Sequence, residues 1–140
     1  MRILRVLGFG GGYVKLWLGE PDAAIDRFAH VMRLSPIDPY MPIMHAAMAD
    51  AHFHAGRHDE ASSWGAISIQ GAPFHNGLRV VAASNALVGR AEQAQLAMAR
   101  LRQLDPDLRV SNLRDIQGPY RRAQDIARYE DAMRKAGLPD

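Results

Sequence analysis

The 140-residue chain carries 17 basic and 15 acidic side chains, is 48 % hydrophobic and contains no cysteine. That is the length of one domain with a core of its own, and it excludes a disulfide framework and a thiolate metal site. No stretch reaches the roughly 18 apolar residues of a membrane span, and the short, glycine-broken N-terminus makes a poor secretion signal, so the expectation is a cytoplasmic protein that engages no membrane. The pI of about 9.3 rests on a small arginine excess. From Asp107 onward seven basic residues face six acidic ones. A mixed-sign surface of this kind argues against nucleic acid as a partner.

The first predicted element spans about 4–18 and includes "LGFGGGYVKLWLGEP". A dinucleotide loop would need Gly-x-Gly-x-x-Gly between a strand and a helix. Gly8 and Gly10 fit, but Tyr13 stands at the third glycine position, and Lys15 lacks the Gly-Lys-Ser/Thr setting of a Walker loop. A helix is the better reading, although each glycine in a helix interior costs up to about 1 kcal/mol relative to alanine. This helix is therefore expected to be the least stable element unless its packing compensates.

Further helices are predicted at about 22–34, 41–55, 59–71, 75–88 and 91–104, then a short one near 110–116 and a last one near 123–135. Three segments repeat one spacing: Gly19, Gly56 and Gly89 are each followed five residues later by Ala24, Ala61 and Ala94, and seventeen residues later by Pro36, Pro73 and Pro106. Glycine ends a first helix by accepting a left-handed backbone, alanine lets a second helix approach closely, and proline closes the unit. Seven residues before each turn glycine stands another small residue, Gly12, Ala49 or Ala82. After Pro106 the register changes. A break is expected at Gly118-Pro119, followed by a capping helix with Ile126, Tyr129, Met133 and Ala136 on one face and Gly137 as its stop.

This combination of spacings resembles the tetratricopeptide repeat family. The resemblance implies an all-α solenoid of three helical hairpins, at about 5–38, 42–74 and 75–107, with a C-terminal cap over 108–140, together one domain spanning 1–140. The stretches "WLGEPDAAIDRFAHVMRLSPIDP", "LDPDLRVSNLR" and "PYRRAQDIARYEDAMRKAGLPD" also resemble the repeat region attached to bacterial class III adenylate cyclases and related signalling regulators. They are similar to the accessory part of those proteins, not to the catalytic part. The implied function is a non-catalytic scaffold for protein–protein interaction in bacterial signalling. The alternative is a regulatory or oligomerisation fragment of an adenylate cyclase or a winged-helix transcription regulator.

In that family the concave face is lined by first helices. The register places Val6, Phe9, Tyr13 and Trp17 there, then Ile43, Ala46, Asp50 and Phe53, then Asn76, Arg79 and Ala83. Of these, Phe9, Tyr13, Trp17, Asp50, Phe53, Asn76 and Arg79 are the candidate partner-binding residues. The chaperone-binding members hold a carboxylate tail with lysine, arginine and asparagine, and only Asn76 and Arg79 match, with Asp50 opposing them. A helix or extended peptide suits such a groove better; the alternative is that these residues fill a tight superhelix.

No chemistry stands out beside this. His45, His52, His54 and His58 cluster in sequence, but Gly56 separates the i, i+4 pair His54 and His58, so helix-surface and hairpin packing is expected rather than a metal site. Met41, Met44 and Met48 form a stripe that reads as core. Ser62 and Ser63 lack a nucleophile-elbow context. No catalytic residue, cofactor or metal is expected. The apolar side chains Leu4, Leu7, Phe9, Tyr13, Leu16 and Trp17 exceed what one partner helix covers, which points to a homodimer through the N-terminal hairpin.

Overall fold

The computed structural model describes residues 2–140, with side chains from Gly8 onward. Val6, expected in the groove, lies with Leu4 and Leu7 outside the described side chains. The described chain is all-helical: α1 (Arg2–Trp17), α2 (Pro21–Leu34), α3 (Met41–His54), α4 (His58–Ser68), α5 (His75–Leu87), α6 (Ala91–Leu104), a 3-10 helix (Val110–Asp115) and α7 (Ala123–Lys135). Each helix packs on the next from α1 to α6, and α7 packs on α5.

The three turns between paired helices close in the same way. Gly19, Gly56 and Gly89 have φ of 85°, 83° and 84°. In each, the amide after the glycine reaches back five residues: Glu20 to the Lys15 carbonyl, Arg57 to His52, and Arg90 to Asn85, each at 2.9 Å. This satisfies a helix-end carbonyl in a conformation that a side chain with a Cβ resists. Ala24, Ala61 and Ala94 are buried at the helix crossings.

Two of the glycines of α1, Gly8 and Gly12, are there because α2 lies directly on them. A Cβ at Gly12 would collide with the Phe28 ring, and one at Gly8 with Val31. Phe28 is fully buried and Val31 nearly so. The glycines thus shape a helix surface against which large side chains of α2 seat. Helix α4 stops at Ser68, short of the expected residue 71. The Ser68 hydroxyl donates to the Gly65 carbonyl at 2.6 Å. This local bond competes with helix propagation just before the sequence enters Gly71 and Pro73.

Two apolar clusters result. One joins Leu16, Ala24, Phe28, Ala47, Met48 and Ala51, with Phe9 and Tyr13 packed against it. The other runs from Phe53 and Leu78 through Met98 and Leu101 to Tyr129 and Met133. Met44 and Met48 of the methionine stripe are buried. So are Ile126, Tyr129, Met133 and Ala136 of α7, and Gly137 ends that helix with φ 108°.

Candidate functional site

One relation between successive helix pairs recurs and aligns the rest. Arg57, directly after the second turn glycine, pairs with Asp22 of the preceding unit at 2.7 Å. Arg90, directly after the third, pairs with Asp59 at 2.9 Å. Each aspartate stands three residues after its own turn glycine. These exposed pairs contribute little energy, but they mark an equal register from unit to unit. The Gly-Arg dipeptides in "GRHDE" and "GRAEQ" carry that signal in the sequence, beyond the glycine, alanine and proline spacing.

Within this register α1, α3 and α5 bring four of the expected residues together. Arg79 donates to the Asn76 amide oxygen at 3.1 Å. The Asn76 amide donates to the Tyr13 hydroxyl oxygen at 3.2 Å. The Tyr13 hydroxyl donates to Asp50 Oδ2, also at 3.2 Å. All three donors point toward the carboxylate, so a guanidinium and a carboxylate are joined through an amide and a phenol from three helices. Asp50 is only 4 % exposed. Burial lifts its carboxyl to about 7, against the opposing pull of the Arg79 charge and the hydrogen bonds from Tyr13 and Asn76. Burial, reinforced by Asp50, also holds the Tyr13 phenol well above its ordinary value.

Of the remaining expected residues, Phe9 and Trp17 adjoin this string. Tyr13 makes aromatic contacts with Phe9, Trp17 and Phe28 at centroid distances of 5.2, 5.6 and 5.3 Å. Phe53 has no exposure. It packs edge-on against Tyr129 at 5.7 Å and therefore acts from beneath the surface. Ala46 and Ala83 are likewise fully buried, while Ile43 is exposed.

The C-terminal segment supplies residues that the sequence reading did not place here. The Tyr120 ring lies tilted against that of His54, with centroids 4.9 Å apart. Its hydroxyl donates to Gln117 Oε1 at 3.3 Å. That leaves the Tyr120 oxygen as acceptor for His54 Nε2 at 3.1 Å. The imidazole proton then sits on Nε2, and His54 Nδ1 is buried without a partner. Burial lowers the His54 pKa to about 4, so the ring is neutral at physiological pH. Gln117 also approaches the Tyr129 hydroxyl at 3.5 Å. Arg128 donates to the His54 carbonyl at 3.2 Å and lies 3.8 Å from the buried Asp125.

The other histidines have separate surroundings. His52 Nδ1 accepts from Arg57 at 3.0 Å. His45 lies against Trp64 at 5.6 Å and His58 against Phe53 at 5.1 Å. Among the described residues no three histidine, aspartate or glutamate side chains converge in a metal-binding group. No helix among them is long and apolar enough to cross a membrane. No protein-family model matches the chain, and no curated protein matches it.

Proposed function

We propose that the chain is a tetratricopeptide-like solenoid of three helical hairpins and a C-terminal cap. In this reading it is a non-catalytic interaction scaffold that receives a helix or extended peptide on the face shared by α1, α3 and α5. The observation that carries the reading is the recurring Arg57–Asp22 and Arg90–Asp59 register. It supports a regular stack, and the hydrogen bonds that join Tyr13, Asp50, Asn76 and Arg79 beside the Phe9 and Trp17 rings support a shared polar and aromatic face that suits a peptide. A bacterial, cyclase-associated signalling setting belongs to the same proposal and is supported by the resembling stretches alone.

A photo-crosslinking residue at Asn76, compared with one at the exposed Leu96 of α6, tests the groove. Partner adducts from position 76 and none from 96 are expected. Equal labelling from both positions refutes a defined groove. The homodimer is a second, separable part of the proposal. Val14 and Leu18 remain 51 % and 38 % exposed on the first helix and the turn after it, and sedimentation at micromolar concentration should show association that Trp17→Asp abolishes.

A further inference from the structure

Between the 3-10 helix and α7, residues 117–122 form no regular structure and cross to the first hairpin. The crossing is specific. The Arg121 amide donates to the Trp17 carbonyl at 2.8 Å. The Arg122 side chain lies against Gly19, where any Cβ would collide with it; Gly56 and Gly89, the equivalent turns, have nothing near the corresponding position. Tyr120 enters beside His54 as described. Pro119, Tyr120 and Arg121 meet Val14, Trp17 and Leu18 around an open apolar notch of about 290 Å³. This strap therefore touches α1 and α3, two of the three helices assigned to the partner.

The strap is held by side chains, with Gln117 buried, Tyr120 packed on the core and Arg122 paired with Asp125, while its main-chain attachment is sparse. Among the described residues, the Arg121 amide makes the one main-chain hydrogen bond from 118–121 to α1–α6. Pro119, Arg121 and Arg122 are exposed. The notch shows that the strap does not fill the surface it covers. Local opening of such a segment requires far less than global unfolding.

We propose that residues 117–122 are a built-in occupant of the groove, and that the partner they hold off is an extended peptide with the strap's own chemistry. That chemistry is a proline on the Val14–Trp17–Leu18 surface, a following hydroxyl-bearing aromatic opposite His54, and a basic residue after it. The inference rests on the groove reading above and adds both the class of ligand and its regulation. The apparent affinity of the intact chain is reduced by the fraction of molecules whose strap is open.

The test uses the full chain and a fluorescent peptide of sequence IQGPYRRA. The peptide should bind Tyr120→Ala and Arg122→Ala chains about tenfold or more tightly than the parent, in proportion to their open fractions. A peptide with alanine for tyrosine should bind none of them. In the parent, the Arg121 amide should exchange with solvent faster than the amides of α3 and α5. Equal affinity for parent and variants, or Arg121 exchange only at the rate of global unfolding, overturns the gating and leaves the groove reading standing. Absence of binding to all folded chains overturns the ligand chemistry; joined to absent adducts from position 76, it removes the groove reading as well. A parent dimer that the peptide dissociates makes the occupant a second copy of the chain and also overturns the proposed partner.

Discussion

The first and third helix pairs meet their crossing problem in opposite ways. In the first, Gly12 has no side chain and the Phe28 ring of α2 lies in its place. In the third, the corresponding residues are Ala82 and Met98, both buried in one cluster. The middle pair has Ala49 and Gly65 at these positions, and the space over Gly65 is taken by Val80 and Val81 of the next helix. What the fold holds constant is the filled volume at the crossing, not the residue or even the helix that supplies it. The first pair concentrates that volume in one rigid aromatic of α2, seated against a first helix weakened by glycine. The third spreads it over smaller, more adaptable side chains.

Phe28→Ala should therefore be the most damaging change, costing about 3–5 kcal/mol of unfolding free energy in urea titrations. Met98→Ala should fall at or below the lower end of that range. A Met98→Ala loss exceeding that of Phe28→Ala would show that the weight of the core lies in the third pair instead.

Overpacking comes next. Ala94→Leu should cost about 1–3 kcal/mol, since Ala94 is buried where its helix crosses α5. Gly12→Ala should also destabilise, by about 1–3 kcal/mol, despite alanine's better helix propensity, because the Phe28 ring has nowhere to go. In a Phe28→Ala background the sign should reverse. A parent-like melting temperature for Ala94→Leu would break the register assigned to the repeats.

The pH dependence separates two buried groups of α3. Asp50 is raised from 3.8 to about 7. Between those values the unfolded chain has released the proton that the folded one keeps, so stability falls as pH rises through the window. His54 is lowered from 6.5 to about 4. There the unfolded chain is protonated and the folded one is not, so stability rises with pH over nearly the same range. The parent should show partial cancellation. Asp50→Asn should leave a net rise in denaturant midpoint from pH 4 to 6.5, and His54→Gln a net fall from pH 4 to 7. Parallel slopes in the two variants would show that these groups do not govern the window.

The smallest effect should come from Gly10, which has open space where a Cβ would stand. Gly10→Ala should stabilise by up to about 1 kcal/mol. Set beside the loss from Gly12→Ala, that gain would show that only the glycines under α2 are required by packing.

Helix existence, the turn glycines and the buried alanines were legible because each follows from a local rule repeated at fixed spacing. The 16-residue first helix was legible despite its glycines, since Gly12 and the closing Gly19 share the spacing of the later units and the phosphate-loop motif lacks its third glycine. The polar string was legible only in part. Register placed Tyr13, Asp50, Asn76 and Arg79 on one face, but not the direction of their hydrogen bonds. The engagement of Tyr120 with His54 was not legible at all. It joins residues 66 apart in the chain, and neither helical periodicity nor composition encodes which irregular segment crosses which face. Asp125, buried between Arg122 and Arg128, looked like one charge among many in a balanced tail.

The bond from the Arg121 amide to the Trp17 carbonyl bears on how the molecule comes apart. A row of hairpins held only by nearest neighbours can fray from either end, one unit at a time. A tie between the last segment and the first helix turns that row into a closed circuit. Its first helix, the poorest in intrinsic propensity, cannot peel away without dislodging the tail. Such long-range closure raises the mean sequence separation of contacts, which slows folding, and only while the strap is seated does it keep the first helix from fraying alone. Lifting the strap would undo that protection at the same moment as it bares the groove, so capture of a ligand and fraying of the N-terminus would be two readouts of a single event.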